Sequence, residues 1–578
     1  MRRAETDIPV LETDVAVIGS GGAGLMCALH VAAADPALEV TIVSKGAVGR
    51  SGCTRMVQGG FNAALSELDS VEAHFRDTLE GGHYLNDQEL AWTLVNDAPR
   101  VIHELETQVG CLFDRTADGG LDLKPFGGQS FDRTVHRADQ TGLEIMGRLR
   151  DQMLRLGARE LEDWRALDLL FDRHGELSGV TLLDIRSGRA AVLLARVIVV
   201  ATGGSATMYR IAAPAREKTG DGVAMCFRAG LELRDMEMLQ FHPTGIIAGS
   251  SRLTGAVLEE GLRGAGAFLY NSLGERFMER YDRVRLERST RDVVARASYT
   301  EIVEGRGTEA GGVLLDISHL GAAEIERRFG QMLARTRLIG ADLATGPVEV
   351  SPTAHFHMGG VIIDRDCLTS IDGLLVAGED SGGAHGANRL GGNGVAESTV
   401  FGARAGETAA ALVGERALYH PDPELVSASL ARTYAPLRRE RGSAPFALTD
   451  RLKDGMWSYC GVVRDRQGLL AGRALLEELT EETSFIAAGG PPEANPSWQE
   501  ALDLENQLTV ARLLVESALA REESRGAHYR SDFPVRDDER WLQAVVVRRG
   551  DDGSPSIGTR PVELTRLATD GEALASRA

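Results

Sequence analysis

DVAVIGSGGAGLMCALHVAA, residues 14–33, joins a short apolar run to a glycine-rich turn and then to a helical pattern. EVTIVSK, residues 39–45, returns as a second apolar strand, so residues 14–45 read as one βαβ unit opening a doubly wound sheet. Gly19, Gly21 and Gly24 fit G-x-G-x-x-G. The first glycine permits the tight turn, the second lets backbone approach a pyrophosphate, and the third lets helix and strand pack closely. With Gly22 and Ala23 they form a helix N-terminus suited to phosphates. An acidic residue about 20 positions on normally takes the ribose in this arrangement. Ser44 and Lys45 stand there instead, which argues against plain NAD.

Outward from this unit, residues 46–135 read as a long polar, glycine-punctuated segment. A helical pattern follows at 138–157, then strands near 178–184 and 196–201. VIVVATGG, with Ala201, Thr202 and Gly203, reads as a second backbone approach to the same cofactor. After QFHPTG the chain turns to charged helix with turns until about residue 350, and then returns to short strands, GVIID and GLLVAGE, before a helix near Val395. The expected organisation is α/β: a doubly wound domain over 1–238 and 352–416, an inserted α+β domain over 239–351, a helical domain over 417–535, and a small C-terminal domain over 536–578 that contains LQAVVVRRG. Ligand sites concentrate at such domain junctions.

The 578 residues exceed what one core holds, which agrees with several units. No window approaches the roughly 18 consecutive apolar residues of a membrane span. MRRAETDIPV lacks the apolar stretch of a secretion signal, so a cytoplasmic location is expected, peripheral to a membrane only through partners. A net charge of −21 with no Lys/Arg block excludes nucleic acid as a partner. The six cysteines form no C-x-x-C, so neither a disulfide framework nor an iron–sulfur or zinc site is expected in this chain. Electrons would leave through another protein or a diffusible acceptor.

Four distant segments each bring a group suited to a carboxylate or a proton: QFHPTG with His242, STRDVVAR with Arg291, PTAHFHMGG with His355, and HGANRLGGN with Arg389. Burying a dianion is costly unless each carboxylate meets paired donors, so such a gathering points to a small dicarboxylate. His357, two residues beyond His355, has no third ligand at matching spacing, and a metal site is not expected. Asp292 and the two valines after it suggest that Arg291 lies on a partly buried helical turn.

Across nearly its whole length the chain resembles the flavoprotein subunits of succinate dehydrogenases and fumarate reductases, with L-aspartate oxidase as a close relative. GSGGAG, QGGFNAAL, PFGGQSFDRT, ATGGSATMY, RDMEMLQFHPTG, EEGLRGAGAFLYNSLGERF, RDVVARA, PTAHFHMGG, HGANRLGGN and ESRGAHYRSDFPVRDDE carry the resemblance. It implies FAD, a mobile capping domain, and Arg291 as proton donor or acceptor with Glu260 and Arg263 as its relay to solvent. His242, His355 and Arg389 would hold the substrate carboxylates. Gly19, Gly21, Gly22, Ala23, Gly24, Ser44, Lys45, Ser51, Gly59, Gly60, Ala201, Thr202, Gly203, Asp221, Glu379 and Arg389 would line the flavin. An iron–sulfur subunit, with possible membrane anchors, is the partner it implies.

Many members of that family tether the flavin through a histidine six residues before the first glycine of QGG. Cys53 stands there, so FAD is expected to be non-covalent and its potential low, favouring fumarate reduction. In L-aspartate oxidases an acidic residue near PFGGQS helps to receive the substrate ammonium. Here Phe126 precedes the glycines and neutral Gln129 follows, which favours succinate and fumarate over aspartate. A flavin-bearing scaffold with a dead substrate site is the third reading, and the intact set of His, Glu and Arg groups argues against it.

Overall fold

The computed structural model describes residues 8–570. Most of the N-terminal segment that bears on a secretion signal, Met1 to Asp7, lies outside them. The opening unit folds as read: strand Val10–Ile18, helix Gly22–Ala34 and strand Val40–Ser44, with the two strands parallel. In the seven-stranded sheet these are flanked by Arg159–Glu162 on one side and Ala190–Val200 on the other, both parallel. Leu374–Val376 adds to the C-terminal part of Ala190–Val200, again parallel. Trp164–Phe171 and Leu177–Asp184 extend the sheet as an antiparallel meander. The architecture is α/β with a doubly wound core, helical and C-terminal parts, as the sequence implied.

A four-stranded antiparallel sheet, Leu239–Ile246, Val348–His357, Val313–Asp316 and Phe268–Tyr270, stands over a separate apolar core that includes Leu258, Leu262, Phe277, Val294 and Phe329. Its first two strands carry His242 and His355. Their register slips twice. Gln240 faces Phe356 while Phe241 faces Ala354, so His355 is an extra, bulged residue. A second slip between His242 and Gly245 surrounds Pro243, which has no N–H for the ladder. Bulges re-aim side chains, and here they bring the two imidazoles to 5.3 Å between ring centroids.

Helices Pro423–Arg438, Pro445–Tyr459, Arg466–Thr483 and Pro496–Ala520 fill the region read as helical. LQAVVVRRG forms strand Gln543–Arg549, which pairs with Pro555–Pro561 and with Leu233–Arg234, so the chain end is stitched to the sheet that also holds Gly360–Ile362 and Ser381–Gly382. Among the described residues no helix is long and apolar enough to cross a membrane.

One reading needs correction. The segment 46–135 is not merely polar and punctuated, because it contains helices Val71–Gly81 and Gln88–Glu104. Ser70 Oγ accepts from Ala73 N, and Asp87 caps Glu89 and Leu90, which are the N-cap signals that mark a helix start. The glycines that obscured the first helix stand at its end.

Candidate active site

A cavity of about 450 Å³ runs from the glycine turn to the meeting of the two sheets. Gly19, Gly21, Gly22, Ala23, Ser44, Lys45, Ser51, Gly59, Gly60, Ala201, Thr202, Gly203, Asp221 and Glu379 line it, together with His242, Glu260, Arg291, His355 and Arg389. Residues brought from both sides of the molecule thus share one space.

The residues present fit a flavin dinucleotide. Gly21 has extended backbone, and a Cβ there would meet only Thr54 Oγ1, at 3.5 Å, so its face towards the cavity is free for a close backbone approach. Gly24 is different: its Cβ would fall 2.0 Å from Gly19 O, so it serves helix–strand packing and does not line the cavity. Lys45 is held by carboxylates: Nζ lies 2.7 Å from Asp221 Oδ2, 3.1 Å from Asp503 Oδ1 and 2.8 Å from Thr219 Oγ1. Burial works to raise the Asp221 pKa, yet Lys45 and Arg165 prevail and hold it below the usual carboxylate range. Lys45 and Asp221 therefore offset one another's charge in the cavity wall, with Asp221 held ionised.

At the other end, Arg291 is the first residue of helix Arg291–Glu301 and is buried. Its Nε donates to Glu260 Oε2 at 2.8 Å. Glu260 Oε1 accepts from Gly127 N at 3.1 Å and lies 3.2 Å from Arg263 NH2. Arg263 sits behind Glu260, away from the cavity wall, and is only 1% exposed. As a route to solvent the relay is therefore closed at its outer end. Burial raises the Glu260 carboxyl, but Arg291 and Arg263 outweigh it and keep the group ionised.

His242 and His355 are both held well below their usual pKa, first by burial and then by the charge of Arg291. They are neutral imidazoles. His242 Nδ1 lies 3.3 Å from Thr244 N and 3.2 Å from Thr244 Oγ1, which itself donates to Leu258 O. Arg389 stacks 4.4 Å above the Phe356 ring, and burial together with Arg291 lowers its pKa to about 9. Its Nε, like His355 Nδ1, is buried without a hydrogen-bond partner among the described residues. Arg291 and Arg263 share one carboxylate, Glu260, while Arg389 forms no direct ion pair among the described residues.

Sequence reasoning missed Gln240. Its Oε1 accepts from Arg291 NH1 at 3.2 Å and from Arg389 NH2 at 3.4 Å, while Nε2 donates to Arg389 O at 2.7 Å. One amide thus spaces two like charges and fixes both. The signal was available in QFHPTG, since a residue two before His242 on a strand shares its face. Gln129 requires correction in the other direction. It is not part of the cavity lining: its Nε2 donates to Gly391 O at 3.0 Å, while its Oε1 is buried without a hydrogen-bond partner among the described residues. His357 has both ring nitrogens engaged, with Ser205 Oγ and Met236 O each at 2.8 Å.

Against known proteins, the profile of the FAD binding domain family matches residues 14–395, and that of the fumarate reductase flavoprotein C-terminal family matches residues 449–574. A fumarate reductase (CoM/CoB) polypeptide of Methanothermobacter marburgensis is 42% identical over 541 residues, spanning 93% of this chain and 97% of that one. The chain belongs to the succinate dehydrogenase/fumarate reductase flavoprotein family. The 8-methylmenaquinol:fumarate reductase flavoprotein subunit of Wolinella succinogenes is 37% identical over 96% of this chain and 91% of its own. The solved structure of a variant of E. coli quinol fumarate reductase FrdA superposes with a TM-score of 0.92 at 31% identity, covering 97% of this chain and 98% of that one. As a member of this family the protein is an FAD-dependent oxidoreductase, in keeping with the fit of the glycine-lined cavity.

Proposed function

We propose that the protein interconverts fumarate and succinate, chiefly towards succinate, as the catalytic subunit of a complex with an iron–sulfur partner. The observation that carries this reading is the meeting of Arg291, Arg389 and two neutral imidazoles in the cavity that begins at the glycine turn. Bound FAD supplies a hydride donor or acceptor. Arg389, with His242 and His355, pairs with the two carboxylates and holds the double bond in one orientation. Arg291 gives its proton to the carbon that develops carbanion character. Because a guanidinium is a very weak acid, it serves only if it is reprotonated at once; Glu260, ionised at rest, lining the cavity and 2.8 Å away, takes a proton from cavity solvent and passes it to Arg291. Arg263 fixes the far oxygen of Glu260.

Electrons would pass between the flavin and an iron–sulfur partner, with a diffusible carrier as the alternative. The names of relatives indicate different donors: CoM/CoB in one, 8-methylmenaquinol in another. Membrane association, where it occurs, would come through anchor subunits.

With reduced viologen as donor the protein is expected to reduce fumarate faster than it oxidises succinate with an artificial acceptor. Robust L-aspartate oxidation by oxygen, with no fumarate reduction, would overturn the reading. Cys53 lines the cavity, but burial raises its thiol and Ala215 N is the partner of its sulfur at 3.4 Å. A neutral thiol is a poor nucleophile. FAD should therefore be released into the supernatant by acid precipitation, and flavin fluorescence on the denatured polypeptide band would contradict non-covalent binding.

A further inference from the structure

Glu259 lines the cavity and has no part in the roles assigned above. It is 2% exposed and lines the same cavity as His242, Arg291, His355 and Arg389. Its Oε1 lies 3.2 Å from Lys124 Nζ, and that ammonium also donates to Ala138 O at 2.6 Å. Its Oε2 is buried with no hydrogen-bond partner among the described residues. A second carboxylate in a space that receives a dianion repels its ligand, unless it is neutral or the ligand itself brings a donor.

We propose that Glu259 is a specificity-determining residue that meets the ligand as a carboxylic acid, donating Oε2–H to one of the ligand's carboxylate oxygens. The proton is taken from solvent as the dicarboxylate enters, and no other bond changes. This rests on the dicarboxylate reading of the site.

The surroundings of Glu259 make it easier to protonate than an ordinary carboxylate, and the ligand completes the change. Lys124 and Arg328, the latter on helix Ala322–Arg337, pull towards ionisation, whereas Asp139 pushes the other way. Arg335 of the same helix donates to Val257 O, and Glu260 is occupied by Arg291 and Arg263. Burial is the largest influence and leaves the Glu259 carboxyl raised. An arriving dianion acts in the same direction, and an O–H donor to a carboxylate is among the stronger hydrogen bonds.

The sign of the pH effect follows. The filled site holds one more proton than the empty one, so affinity is level below the empty-site pKa of Glu259 and falls above it, by up to about tenfold per pH unit. Both imidazoles are neutral in the empty site, and any proton they took up on binding would persist in Glu259→Gln, which separates their contribution from that of Glu259. Arg389, at about 9, would contribute only at the alkaline end.

The test is titration of the holoprotein with malonate, followed by the flavin absorbance, from about pH 7 to 8.5, above the range in which malonate itself titrates, with proton uptake read by an indicator dye in weak buffer. Wild-type protein should bind malonate more weakly as pH rises and take up close to one proton. Glu259→Gln, whose amide donates at every pH, should give a level profile without uptake. Lys124→Met, which removes a charge favouring ionisation, should move the wild-type transition to higher pH. An identical slope in wild type and Glu259→Gln, or a level wild-type profile, would overturn the proposal. So would L-aspartate binding that exceeds malonate binding and is lost in Glu259→Gln, since Oε2 would then be receiving an ammonium. If malonate perturbs the wild-type flavin at no pH, the clamp itself fails and this inference with it.

Discussion

Arg291→Lys is expected to keep its flavin and much of its affinity for dicarboxylates while losing about 10²- to 10⁴-fold in turnover, the range that a positioned acid contributes. The guanidinium is bound at two places at once, through Nε to Glu260 and through NH1 to Gln240. An ammonium keeps the charge but has neither the fork nor the reach to hold both contacts while presenting a proton to the substrate. Affinity should suffer less, because Arg389, His242 and His355 remain. The measurement is single-turnover reoxidation of the reduced flavin by fumarate, which separates chemistry from binding. A variant that reoxidises at near the wild-type rate would move the proton to another residue.

What the sequence disclosed, and what it withheld, follows the range of the interactions. The βαβ turn was legible because its glycines answer to neighbours within a few residues, as Gly24 does to Gly19. The segments that carry His242, Arg291, His355 and Arg389 were legible as chemistry suited to a dicarboxylate, and their meeting was expected from that chemistry and from resemblance. Gln240 was passed over because its value lies in two arginines, one 51 and the other 149 positions away. Gln129 was misplaced for a related reason. Its position after two glycines suggested a side chain facing the substrate, but Gly128 adopts φ +78° and the amide reaches Gly391 instead. Lys45 was read as a residue lining the flavin, but nothing local showed that Asp221 and Asp503, 458 residues on, would hold its charge. Glu259 carried no local signal at all, since only folding shows that one of two adjacent glutamates meets two arginines and the other a lysine.

The second and third glycines of the G-x-G-x-x-G turn, Gly21 and Gly24, allow fold and cofactor binding to be separated. Gly24→Ala should fail as a fold, because its Cβ would lie 2.0 Å from Gly19 O and 2.9 Å from Gly19 C, and backbone atoms cannot swing away as a side-chain end can. Helix Gly22–Ala34 would have to lift off strand Val10–Ile18, at a cost of about 3 kcal/mol or more, the upper end for overpacking. Low soluble yield, or a large fall in melting temperature even without flavin, is the expected result. Gly21→Ala should behave otherwise. With φ −74° and nothing nearer than Thr54 Oγ1 at 3.5 Å, the backbone accepts alanine without strain. The added methyl enters the cavity wall where backbone must approach the pyrophosphate, so the apoprotein should melt like wild type and bind FAD roughly ten- to a hundredfold more weakly, the effect of about 1–3 kcal/mol of crowding. Flavin titration of refolded apoprotein, paired with circular-dichroism melts, distinguishes the two. A stable Gly24→Ala apoprotein, or a Gly21→Ala protein with wild-type flavin affinity, would show that the turn does not divide its glycines between packing and pyrophosphate in this way.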